Sequence, residues 1–292
     1  MGKLQLTIGS RADVPRRDRR PSARRFGGLF YSAVDLWCAL MKVKNYNEHL
    51  RKKWIERGYP GNMGSAAVVP PPPVGFRRLY HLTSAEYAVS DIVFGRLKVA
   101  RFSKLNDPFE LLARSALDGR APALLADKHK MDQKNGLLCF SEDWIDPVLW
   151  THYGANHKGI CLGFDLKEGY AEKITYQNDR LRDEEFVKKT DQEILDLLLY
   201  TKFESWRYER EWRVLLELAD VTPEGDLHFF AFDDQLRLAE VVLGVDCTLS
   251  IEAVRKLLSI HHSSATSVRT RLALGSFAMV PDEETIIAIP ET

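Results

Sequence analysis

Four consecutive prolines, Pro70 to Pro73, divide this chain of 292 residues. A proline run is stiff, extended and without amide protons, so neither a helix nor a paired strand continues through it. With the Gly, Ala and Val residues around it, the run marks residues 61–76 as a linker. Ahead of the linker, residues 28–60 are expected to be a helical segment. Trp37, Leu40, Met41, Tyr46, Leu50 and Trp54 approximate a helical stripe, and Gly58 and Pro60 stop it. Residues 1–27 are expected to form a basic, disordered tail. Its first 25 residues carry eight Lys or Arg against Asp13 and Asp18, a local charge of +6. A nucleic-acid-contacting arm and an organellar transit peptide are alternative readings of that tail. The remainder, residues 77–292, is the size of one ordinary domain.

Over the whole chain, tail included, the charge is balanced. Lys and Arg number 41, Asp and Glu 41, and the formal net charge is +0. A wholly basic nucleic-acid coat is excluded, though a local basic patch is not. No stretch approaches the roughly 18 apolar residues of a membrane span, and no apolar segment follows the basic N-terminus as in a secretory signal. Cys38, Cys139, Cys161 and Cys247 are far apart and form no CxxC pair. Cys139 and Cys161 sit in apolar runs, the pattern of buried free thiols in a cytoplasmic protein.

The domain alternates short strands with irregular helices, which favours an α+β fold over a doubly wound sheet. Strands are expected at 78–82, 97–102, 136–141, 159–164, 173–176, 212–218, 227–232 and 239–243, with more in 267–290. Helices are expected from Thr83 (a capping box with Glu86) to Gly95, from Asp107, from Asp146 to Gly154, over 181–205 and over 249–260.

Common catalytic fingerprints are missing. There is no GxGxxG after a strand, no GxxxxGK[ST], no GxSxG and no HExxH. His152, His157 and Cys161 fit no common zinc spacing, so no metal is expected. Three clusters hold the remaining chemistry. Tyr80-His81-Leu82-Thr83 stands at a strand-to-helix turn, where a rigid element aims polar groups into a cleft; Thr83 as a cap and His81 as a core residue is the structural alternative. Trp150 and Tyr153 fall three apart on a short helix, giving either a stacking wall for a planar ring or ordinary core. The third cluster runs from Trp206 to Arg213. On a strand Glu209, Glu211 and Arg213 share one face, forming either a catalytic edge or a solvated salt-bridge ladder.

The ordered segments Asn106-Asp107-Pro108-Phe109-Glu110, Cys139-Phe140-Ser141, Trp150 to Phe164 and Trp206 to Arg213 resemble those of a bacterial domain-of-unknown-function family, number 2971. This resemblance spans about residues 78–245. A second resemblance rests on fewer residues. Tyr80, His81 and Thr83 are similar to the first-strand motif of ADP-ribosyltransferases that act on nucleic acid or rifamycin. Glu209-Arg210-Glu211 is similar to the Glu-x-Glu of arginine-directed members.

That second resemblance implies an ADP-ribosyltransferase-like arrangement of mixed, mostly antiparallel sheets with inserted helices. It implies NAD as a substrate, and transfer of ADP-ribose with release of nicotinamide, in a bacterial toxin or phage-defence effector. Glu211 would stabilise the cationic ribose and Glu209 would position the acceptor. His81, with Thr83 or Ser141, would bind NAD, and Tyr153 or Trp150 would stack on nicotinamide. The acceptor is unspecified, nucleic acid or protein among the candidates, and an antitoxin or immunity partner fits such a system. A nucleic-acid module using Lys158, Arg207, Arg210 and Arg213 is the alternative, as is an inactive interaction domain of a defence system. Asn106–Glu110 is read as structural, with Asp107 capping a helix. Glu211→Gln is expected to leave the fold intact.

Overall fold

The computed structural model describes residues 70–115, 121–282 and 285. The expected tail (1–27), helical segment (28–60) and first part of the linker lie outside the described residues. In chain order the elements begin with β1 (Phe76–Thr83), α1 (Ala85–Phe94), β2 (Arg96–Lys98), α2 (Ala121–Lys134) and β3 (Asn135–Ser141). Next come α3 (Pro147–His152), β4 (Ile160–Lys167), β5 (Glu172–Lys173), β6 (Thr175–Gln177), α4 (Asp191–Leu199) and β7 (Thr201–Phe203). The last are β8 (Glu211–Glu217), β9 (Thr222–Glu224), β10 (Leu227–Ala231), β11 (Leu236–Leu243), α5 (Ile251–His261), β12 (Thr266–Leu272) and β13 (Met279–Pro281).

The fold is α+β. An eight-stranded, mostly antiparallel sheet runs β13-β12-β11-β4-β1-β3-β8-β5, with β11 and β12 its parallel pair. β2, β10 and β9 make a small sheet, and β6 and β7 a parallel pair. β4 is buried at every position but its last, the near-continuous apolar run of a strand covered on both faces. β1 pairs with it along its full length, from Phe76↔Lys167 to Thr83↔Ile160.

On the other side β1 meets β3 at a single pair, Tyr80↔Ser141. β3 then pairs with β8 from Asn135↔Glu217 to Ser141↔Glu211. The sheet therefore has two well-paired halves joined at one point. One face is continuous across the join: Leu79, Leu138, Phe140, Ile160, Phe164, Val214 and Val241 share a core with α1, α5 and Leu97. On the opposite face two separate cores flank the join, one around Leu82, Leu149, Trp150 and Val268, the other around Phe102, Leu111, Leu137 and Leu199. Two cores with a gap between them leave room for a cleft.

Local details depart from the sequence reading. The cap of α1 is Ser84, whose hydroxyl accepts from the Tyr87 amide, and Thr83 is the last residue of β1. Asp107 starts no helix. Its carboxylate accepts from the Phe109 amide at 2.9 Å in a tight turn, and the helix of this region comes later, at α2. The expected helix over 181–205 is a 3₁₀ turn at Asp183–Phe186, then α4, then β7. α4 is set apart by its own capping box, Thr190 with Glu193. The α3 boundary is as its residues predict, with Asp146 capping Val148 and Pro147 at the first turn. No helix among the described residues is long and apolar enough to cross a membrane.

Candidate functional site

Where β1 parts from β3 an open cleft of about 110 Å³ forms. Its lining includes Tyr80 and His81 from β1, Cys139 and Ser141 from β3, Tyr153 from the end of α3, Glu209 just ahead of β8 and Glu211 at its start. Asn106, Glu110 and Lys202 complete its polar wall.

His81 stands in for backbone pairing at the join. Its Nδ1 lies 2.9 Å from the Cys139 carbonyl. A carbonyl only accepts, so Nδ1 carries the proton. Burial pushes the ring's pKa down, Cys139 opposes this, and Lys98 adds to it. A neutral ring donating from Nδ1 keeps Nε2 as an acceptor. Ser141 is committed nearby, its hydroxyl donating to the Glu209 carbonyl at 2.6 Å.

Glu209 and Glu211 lie on either side of a break in the backbone. A 3₁₀ helix, Glu204–Glu209, ends in Arg210 with φ +46°, and β8 begins at Glu211. The pair is thus not on one strand, as the alternation rule predicted. The left-handed residue restores the alignment, and both carboxylates reach the same ammonium group. Lys202 Nζ, from β7, lies 2.6 Å from Glu209 Oε2 and 2.9 Å from Glu211 Oε2. Arg213 donates from Nε to Glu211 at 2.8 Å and grips Glu110 with both terminal nitrogens, at 2.8 and 2.6 Å. Glu110 also lies 3.7 Å from Lys202. Three carboxylates thus face two cations, all five residues buried.

Their environments separate the two glutamates. Burial would raise the Glu211 carboxyl, but Arg213 and Lys202 outweigh it and hold the pKa at about 2. Burial raises Glu209; Lys202 opposes this and the charge of Glu211 reinforces it. Glu209 accepts from the Tyr153 hydroxyl, which in turn accepts from the Asn106 amide at 2.7 Å. Burial and Glu209 together push the Tyr153 phenol up, so it stays a donor. One permanently ionised carboxylate beside one that holds its proton more tightly is the pattern of paired acid–base groups.

Of the seven residues expected at a site, five line this cleft: His81, Ser141, Tyr153, Glu209 and Glu211. Thr83 does not, because it lies at the far end of β1 opposite Ile160. Trp150 does not either. It is fully buried in the core and its indole nitrogen donates to the Trp144 carbonyl at 2.6 Å. The Asn106–Glu110 segment, read as structural, lies at the cleft through Asn106 and Glu110. Lys202 carried no signal in the sequence, where it fell inside the helix expected over 181–205.

No curated protein and no solved structure matches the chain significantly. Residues 149–214, which hold both the Trp150–Phe164 and the Trp206–Arg213 motifs, match the family described as protein of unknown function (DUF2971), the family those motifs resemble.

Proposed function

We propose that the cleft binds NAD and transfers its ADP-ribose to an acceptor, releasing nicotinamide. The reading is carried by one observation: His81, Tyr153, Glu209 and Glu211, though up to 130 positions apart in sequence, line a single cleft at the join of the sheet. In this reaction the bond between ribose C1′ and the nicotinamide nitrogen breaks, and its electron pair leaves with nicotinamide. Positive charge develops on the ribose, and preorganised negative charge stabilises it. Glu211 is ionised at neutral pH and its position is held by Arg213 and Lys202. Glu209, with its raised pKa, is matched to taking the proton that the acceptor loses as it attacks C1′. His81 Nε2 is an acceptor for a ribose hydroxyl, and the ring of Tyr153 offers a face to nicotinamide.

The alternative nucleic-acid reading loses part of its basic patch. Arg213 is buried and paired with Glu110 and Glu211, Arg210 is paired with Asp143 at 2.6 Å, and Arg207 with Glu204. Nicotinamide release from NAD, measured with the wild-type chain and with Glu209→Gln, tests the proposal. The variant should lose on the order of a hundredfold or more in turnover with an acceptor present, while NAD affinity changes far less because the proton moves only during reaction. A wild-type chain that neither binds NAD nor releases nicotinamide, with protein and nucleic-acid acceptors present, overturns it.

A further inference from the structure

A second cavity, of about 290 Å³, adjoins the first. Lys202 lines both, and the chain passes from Asn106 in the first to Asp107 in the second. Its walls are built rather than incidental. On one side the segment from Asp107 to Ala113 is fastened to the chain around Leu181: the Leu181 amide donates to the Ala113 carbonyl and the Ser115 amide to Leu181, each at 2.8 Å. Arg180 donates to the Leu112 carbonyl from Nε, at 3.0 Å, and from Nη2, which leaves the edge at Nη1. On the other side β6 and β7 pair in parallel, placing Gln177 opposite Phe203.

The lining chemistry is specific. Phe109 and Phe203 are 55% and 48% exposed, so two large aromatic side chains lie uncovered at one cavity. The guanidinium carbon of Arg180 lies 5.6 Å from the centre of the Phe109 ring. Aromatic faces and a guanidinium plane stack on planar bases, and arginine also pairs with phosphate through the edge it leaves free. The amides of Gln177 and Asn178 supply donors and acceptors for a base edge, and Asp179 an acceptor for a ribose hydroxyl.

We propose that this second cavity is a nucleotide subsite, taking a base against Phe109 and Phe203 and a phosphate on Arg180. Its link to catalysis rests on the transferase reading of the adjoining cleft; its ligand chemistry does not. Two sources supply such a group: the adenosine phosphate half of NAD, with its nicotinamide end in the first cleft, or a nucleotide of the acceptor.

The four 5′-ribonucleoside monophosphates, titrated calorimetrically into the full chain, test the proposal. At least one should bind, and Phe109→Ala and Phe203→Ala should each weaken it about tenfold, the size of one lost stacking contact. Both side chains are exposed, so far-UV circular dichroism should be unchanged. If either variant fails to fold, the other and Arg180→Gln give the same readout. No binding at millimolar concentration, or equal binding by wild type and every folded variant, overturns the subsite. Repeating the titration with saturating NAD separates the sources: AMP excluded by NAD identifies the adenosine half, and binding of a nucleotide alongside NAD identifies the acceptor. Nicotinamide release is scored separately, so loss of the transferase reading and loss of the subsite are distinct results.

Discussion

At the scale of the residue, the cleft is governed by how five buried charges divide their contacts. Arg213 depends on Glu211 and Glu110, and Lys202 on Glu209 and Glu211. Removing the charge of Glu211 therefore weakens both cations at once. Taking one partner from a buried pair costs about 3–5 kcal/mol, because the remaining charge is left without compensation. Glu211→Gln should lose stability on that scale at neutral pH, and Glu209→Gln clearly less, since Lys202 keeps Glu211. Thermal unfolding of the two variants checks the order, which reverses the sequence-based expectation that Glu211→Gln leaves the fold intact. The acid branch has a defined sign. The Glu211 pKa is held at about 2 against an ordinary 4.5, so its contribution is complete above the ordinary value and fades as pH falls toward 2. Asp91, on α1, behaves oppositely. Burial raises it to about 7 from 3.8, against the pull of Arg96 and Lys98. Between those values the folded chain holds a proton that the unfolded chain has released, so stability falls as pH rises through the window. Asp91→Asn should flatten that slope in denaturant titrations at pH 4 to 8, leaving the contributions of Glu209 and Glu240, which burial also raises.

At the scale of the element, short-range signals were legible where one side chain decides the outcome. Asp146-Pro147 opens α3 and Gly95 closes α1 in the left-handed conformation, at φ +61°. The cap of α1 shows how far such signals reach. Thr83 and Ser84 are both capping residues, and sequence spacing favoured Thr83 through Glu86. β1 decides the matter: its pairing with β4 extends through Thr83, which is left extended, and Ser84 takes the cap. Ser84→Ala should cost about 0.5–2 kcal/mol and Thr83→Ala markedly less, by denaturant unfolding of each. Asn106–Glu110 was misread for a related reason. Asp, Pro and Glu at that spacing suit a helix start, but Glu110 is drawn to Arg213, 103 positions away, and no local rule contains that contact. The His157-Lys158-Gly159 motif has a structural account. Ala155, Asn156 and His157 all have positive φ, and a Cβ on Gly159 would lie 2.1 Å from the Thr83 carbonyl oxygen. This turn requires glycine because the backbone of β1 passes against it.

At the scale of the molecule, the α+β class and most strand positions follow from alternation and turn residues, while the sheet order does not. Nothing in the sequence places β3 beside β1 at one pair only, and the cleft exists because of that. The glutamates were found as a dense charge cluster, and His81 by its place at a strand end. Lys202 and Glu110, which organise them, were visible only once β7 and the 107–111 turn were brought alongside β8. Ser141 joins the two halves through its pair with Tyr80, and its hydroxyl bond to Glu209 ties β3 to the segment ahead of β8. Ser141→Ala should speed amide exchange at Glu142, whose amide bonds to the Arg210 carbonyl, by about tenfold, the equivalent of one hydrogen bond. Exchange in β4 and β11 should be unaffected. The single-pair join also sets the mechanical character of the molecule. Prising the cleft wider strains one backbone pair and a few side-chain bonds, among them His81 to Cys139 and Tyr153 to Glu209, whereas bending either half strains a full ladder. Compliance is thus concentrated along one line through the cleft floor, and the continuous core on the opposite face acts as its hinge.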